Sequence, residues 1–197
     1  MKKKWIILIV VVVLLLVGYS NIKGTYNTMV LRDEGINTSW AQVENQYQRR
    51  VDLIPNLVNT VKGYANFEQE TLTGVIEARS KATAVTIDPS NLSPEAIANF
   101  DQAQQGLSSA LSRLLVTVER YPDLKASTQF QQLQVQLEGT ENRIAVERRN
   151  FNQEVQGYNT YIRSFPKNLY ANLFGFDQKG YFQAISGAET APKVTFD

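Results

Sequence analysis

The run NTSWAQVENQYQRRVDLIPNLVNTVKGYANFEQETLTGVIEARSK, residues Asn37 to Lys81, reads as helix from its first aromatic onward. Trp40, Val43, Tyr47, Val51, Ile54, Val58, Val61 and Ala65 recur every three or four residues, the spacing that lines side chains along one helical face. An apolar stripe of that length requires another helix to cover it. Asp52, Asn56 and Asn59 share the same spacing and are read as a polar edge beside the stripe. Pro55 falls in the middle; it lacks a backbone N–H and crowds the carbonyl of Val51, so a bend is expected there. This helix is expected over about Ile36 to Asn66, followed by a second from about Phe67 to Thr83 on Leu72, Val75, Ile76 and Arg79. No proline separates the two, which leaves open whether they are continuous.

Further along, Asp88-Pro89 marks a loop between Ile87 and Ser93. Ser93-Pro94-Glu95 is a helix start, with a hydroxyl cap, proline at the first helical position and an acid in the first turn. Ile97, Phe100, Leu107, Leu111, Leu114, Val118 and Tyr121 carry that helix to Pro122. From Ser127 to Ser164 a near-heptad seam runs through Phe130, Leu133, Leu137, Thr140, Ile144, Phe151, Val155, Tyr158 and Ile162, a rod of roughly 57 Å. Phe165 and Pro166 close it. Gly63, Gly74, Gly106, Gly139 and Gly157 each fit either an exposed face or the close approach of a neighbouring helix. The pattern is all-α, an antiparallel helical bundle of three long helices plus one shorter, preceded by a single transmembrane helix.

That transmembrane reading rests on Trp5 to Ile22, which carries no charge and spans roughly 27 Å as helix against a hydrocarbon thickness of about 30 Å. Ile6, Ile7, Leu8, Leu14, Leu15 and Leu16 supply the apolar body, and Trp5 and Tyr19 are the interfacial aromatics. The alternative is a cleaved signal peptide, since MKKK is a fitting n-region and Gly18 and Ser20 suit a cleavage site. Three lysines before the span, against Lys23 and Arg32 soon after it, place the N-terminus in the cytoplasm and the body on the extracytoplasmic side of the cell (inner) membrane. The expected domains are the signal-anchor over 1–22, a juxtamembrane linker or stalk over 23–35, the bundle over 36–186 and a mobile tail over 187–197.

The chain has 197 residues, neither cysteine nor histidine, and a net charge of +1. Without Lys2, Lys3 and Lys4 it keeps 17 basic and 19 acidic residues, so the body offers no electrostatic footprint for nucleic acid. Lacking both Cys and His, it cannot build a thiolate or imidazole zinc site, a Ser-His-Asp triad or a Glu-x-x-His di-iron motif. No cofactor or metal is expected. Beyond Pro166, the segment NLYANLFGFDQKGYFQA gathers Leu169, Tyr170, Leu173, Phe174, Phe176, Tyr181 and Phe182. Burying such side chains stabilises by about 1.5–3 kcal/mol each, so the segment is expected to fold back on one end of the bundle. An exposed contact surface for a partner or for lipid is the other reading of the same residues.

SWAQVENQYQRRVDLIPNLVNTVKGYANFEQETL resembles the N-terminal signature of the LemA family, bacterial proteins with one membrane helix and a helical domain. The resemblance resumes in YPDLKAS, LEGTENRIAVERRNFNQEV and YNTYIRSFP, between Tyr121 and Pro166. It implies an accessory membrane component, with a membrane protease or another membrane protein as a partner, and it supplies no catalytic residue.

The functional expectation is therefore a non-catalytic, membrane-anchored scaffold that works through protein contacts and associates with copies of itself. The alternatives are a membrane-shaping protein or a carboxylate-only enzyme or cation site built on Asp52 with Glu44 or Glu141. A structural polar network is expected beside Pro55, in which Asp52, Asn56 and Asn59 meet Glu141, Asn142, Arg143 and Arg148, with Arg143 as the fork for the Asp52 carboxylate.

Overall fold

The computed structural model describes residues 2–64 and 67–183. The expected mobile tail over 187–197, the last residues of the expected bundle and Ala65 of the stripe lie outside them. The architecture is all-α, and its long helices are α1 (Lys2–Lys62), α3 (Pro94–Val118) and α5 (Thr128–Arg163). Shorter ones are α2 (Gln69–Ala84), α4 (Pro122–Lys125) and α6 (Lys167–Phe174). α1 passes through 23–35 without a break, so that stretch is helical.

Two compact units share α1 and α5 between them. One gathers α1 up to Arg50 with the chain from Leu137 to Lys179. Within it α1 and α5 run antiparallel, each step along one matched by a step back along the other. The Arg50 guanidinium meets Glu141, the ring of Trp40 meets Phe151 edge-on at 5.7 Å, and Arg32 lies over the ring of Tyr161 at 4.9 Å. Met29, Ile36, Trp40, Val43 and Tyr47 from α1 and Ile144, Phe151, Val155, Tyr158 and Ile162 from α5 are buried, which is the heptad seam read from spacing. Gly157 faces Arg32, whose Nη1 would stand 3.2 Å from an added Cβ, a tight contact with the movable end of a side chain.

The second unit takes α1 from Val51, then α2, α3, α4 and α5 as far as Gln136, with residues 180–183. Ile54, Leu57, Val58 and Val61 of α1 are buried, as are Leu72 and Val75 of α2 and Ile97, Leu107, Leu111 and Leu114 of α3. The Gln104 side-chain amide donates to the carbonyl of Ala82 at 3.2 Å, tying α3 to the end of α2. Between Lys62 and Gln69 the helix stops. Gly63 and Tyr64 tighten the last turn, with Tyr64 N–H bonding Val61 O at 3.1 Å. The Phe67 ring then stacks against Tyr121 at 4.9 Å and starts a new direction. The Ser93 hydroxyl caps α3 by accepting from Ala96 N–H at 3.2 Å, and Pro94 occupies the first turn. Gly74, Gly106 and Gly139 face open space, as an exposed surface requires.

Candidate functional site

The residues expected in the polar network are mostly exposed. Asp52, Asn56 and Asn59 are exposed, and so are Asn142 and Arg143. The reason is angular. At about 100° per residue these α1 side chains fall roughly 150° from the centre of the apolar seam, on the far face and not on its edge. Arg50 and Leu57 hold the edge instead, and both are buried.

Arg50 is 1% exposed, and its Nη1 donates to Glu141 Oε1 at 2.7 Å, with Glu141 44% exposed. Its guanidinium also lies 5.0 Å over the Tyr47 ring, whose hydroxyl accepts from Arg148 at 3.4 Å. Glu141 and Arg148 thus do enter a polar cluster, organised by an arginine that the periodicity had not singled out. The carboxylate-only site gains no support, since Glu44 and Asp52 are exposed and Glu141 is held by Arg50. Among the described residues, no three of Asp, Glu, His and Cys gather as metal ligands.

Pro55 sits on the exposed side of α1, inside an uninterrupted helix. Because proline has no N–H, the carbonyl of Val51 lacks its normal helical donor. Arg79 of α2 fills the vacancy, its Nε donating to Val51 O at 3.2 Å. Arg79 had been visible as a member of the α2 pattern, and the four-residue offset from Pro55 to Val51 was the available signal for its role.

Asn56 and Asn59 are not idle on the far face. With Thr60, Gln129, Gln132, Leu133 and Gln136 they line an open groove of about 320 Å³. Five of these seven residues are amides and none is charged, so the groove offers hydrogen bonds without electrostatic attraction.

A second polar cluster, unread from the sequence, fastens the chain after α6 to α5 and α1. The Asn159 side chain closes on the backbone of Lys179, donating to its carbonyl at 2.9 Å and accepting its N–H at 3.0 Å. Tyr158 donates to the carbonyl of Asp177 at 3.0 Å, and Lys179 Nζ pairs with Asp33 at 3.0 Å. Burial first, then the charges of Asp33 and Asp177, push the Tyr158 phenol well above its ordinary value. It therefore remains a neutral donor.

The aromatic segment divides. Phe174 and Phe176 pack edge-on against Tyr26, with ring centroids 5.1 Å and 5.6 Å away, so this part folds back as expected. Tyr181 and Phe182 belong to the other unit, where Phe182 is buried against Phe100 and Tyr181 stays exposed. Tyr170 is half-buried. Phe165, Leu169 and Leu173 remain 81%, 58% and 74% exposed. The side chains of Trp5, Ile6, Ile7, Leu8, Leu14, Leu15, Leu16 and Tyr19 are all exposed along α1, which is long and apolar enough here to cross a membrane.

Comparison with known proteins bears on what these arrangements serve. The LemA family model matches residues 39–196. Magnetosome protein MamQ 2 of Paramagnetospirillum magneticum is 27% identical over 187 residues, covering 86% of this chain and 68% of its own length. Protein LemA of Metamycoplasma hominis is 27% identical over 161 residues, covering 82% of this chain and 70% of its own.

Proposed function

We propose that this chain, which belongs to the LemA family, is a membrane-tethered scaffold that acts through protein contacts, including contacts with further copies of itself, and performs no catalysis. One observation carries the reading: α1 leaves the candidate span and enters the folded body without a joint. From Lys23 to Arg50 it rises about 40 Å as one helix with α5 packed along it. A catalytic domain on a tether needs no such rigidity. A body meant to present helical surfaces at a set height above a bilayer does.

In this proposal the N-terminus is cytoplasmic and the body extracytoplasmic, following the lysine bias around the span. The partner is a second copy or another membrane protein, a membrane protease among them. The test is crosslinking of the full-length protein in intact membranes, followed by mild-detergent extraction and mass measurement of the intact complex. A defined oligomer or a recurring membrane-protein partner is the expected result. Monomer alone, with no crosslinked partner, overturns it. Protease digestion from the cytoplasmic side that removes the body would overturn the orientation separately.

A further inference from the structure

We propose that α6 and the turn before it form a foot that rests in the lipid headgroup layer of the bilayer in which the chain is anchored, with Phe165, Leu169 and Leu173 entering the acyl boundary. The proposal rests on the anchor reading above. Its first support is an apolar face with no cover inside the protein. Leu169 and Leu173 stand one turn apart on α6, Phe165 precedes them at the same interval, and all three are mostly exposed. Single exposed apolar residues are ordinary, but two in register on one short helix with a third in the turn just before it form a contact surface.

The second support is height. In the antiparallel pairing of α1 and α5, Arg32 lies over Tyr161, so Phe165, one turn further along the chain, stands one turn nearer the anchor. The packing of Phe174 and Phe176 on Tyr26 fixes the far end of α6 at the same level. Tyr26 is four residues past Ile22, where the uncharged span ends, or about 6 Å along the helix. Headgroups occupy roughly 5–7 Å on each side of the hydrocarbon. The exposed face therefore lies at the depth where apolar side chains of an interfacial helix bury themselves.

Charge agrees with the placement. From Arg163 to Lys179 the chain has three basic residues and one acid, Asp177. Lys179 is paired with Asp33, while Arg163 is exposed and Lys167 lies beside the Tyr161 ring at 4.2 Å. Lys23 adds a further exposed cation on α1. Basic side chains around an apolar face suit anionic headgroups.

The absence of cysteine makes the test direct, since any introduced thiol is unique. Full-length protein carrying Leu169→Cys, Leu173→Cys, Val135→Cys or Leu15→Cys is labelled with an environment-sensitive dye. Each is reconstituted in zwitterionic vesicles containing a minority of anionic lipid. Quenching by a nitroxide lipid is compared with quenching by aqueous iodide. Val135 is an exposed apolar residue near the start of α5 and serves as the comparison site; Leu15 reports the span. The expected result is lipid quenching at 169 and 173 several-fold above that at 135, with reduced iodide access. Iodide access at 169 and 173 equal to that at 135, with Leu15 quenched by lipid, overturns the foot and leaves the anchor standing. Protection from both quenchers overturns it in favour of a protein cover. A dye at Leu15 that only iodide reaches overturns the anchor reading and the foot with it.

Discussion

A proline inside a helix leaves one carbonyl without its donor, and at Val51 the vacancy is filled from a different helix. The Arg79 guanidinium thereby joins α2 to α1 at a place where the backbone alone would be unsatisfied. Arg79→Met should destabilise by about 1–3 kcal/mol, the range for a partly buried polar group left without a partner. Pro55→Ala restores the N–H, so in that background the same Arg79 substitution should cost clearly less. Urea unfolding of the four variants gives the coupling directly; additive effects would show that Arg79 acts through packing alone. Tyr158 makes a different prediction. Its phenol is raised in the folded protein, so the stabilisation it contributes is complete below the ordinary tyrosine value of about 10 and is lost as pH rises beyond it. Thermal melts of the wild type should decline steeply above that pH, and Tyr158→Phe should decline less steeply. Parallel curves would remove the phenol from the account.

Helix α3 shows why the elements were legible and where legibility stopped. Its start is written locally, in a hydroxyl, a proline and an acid that are contiguous, and the structure has the cap where the sequence puts it. The seam of α5 is equally legible, because heptad spacing states which side chains face inward. What spacing does not state is the partner, or how wide the buried stripe is. Asp52, Asn56 and Asn59 share a face with each other, yet that face is opposite the seam, whereas Arg50 sits on its edge and is buried despite its charge. The break after Lys62 was hidden because Gly63 ends the helix without a proline. Gly180 was invisible for another reason: its need for smallness arises across sequence distance. An added Cβ there would stand 2.7 Å from Pro94 Cα and 2.9 Å from Ser93 O, and the Gly180 N–H bonds Leu92 O at 2.9 Å. Gly180→Ala should therefore destabilise by about 1–3 kcal/mol as the crossing segment is displaced. Gly106→Ala, whose Cβ meets open space within α3, should stabilise by up to about 1 kcal/mol. Urea midpoints of the two variants should move in opposite directions. A neutral Gly180→Ala would mean that the crossing has room the geometry denies.

At the scale of the whole molecule, stability and location are assigned to different parts of the chain. Each unit has its own apolar core, the first built from Trp40, Phe151 and Tyr158, the second from Leu57, Leu72, Ile97 and Leu107. The side chains from Trp5 to Val17 contribute to neither, since all of them are exposed along α1. Removing them should then cost the body almost none of its buried area, and buried area is the main favourable term in folding. The Arg50–Glu141 pair, the Ser93 cap and the Asn159 clasp all lie beyond Lys23 and are retained. A chain comprising residues 24–197 is accordingly expected to be water-soluble and almost wholly helical by circular dichroism, with a cooperative melt. Its α1 would start one turn before Met29, which is already buried, as is Ile36 beyond it, so fraying should be confined to the turn before Met29. Hydrogen exchange can resolve that boundary. Amides from Met29 onward should be protected about as well as in the full-length protein held in detergent, and those before it should exchange freely. A spectrum dominated by disorder, or loss of protection spreading to Trp40 and Phe151, would mean that the lipid phase is needed to hold α1 as a helix.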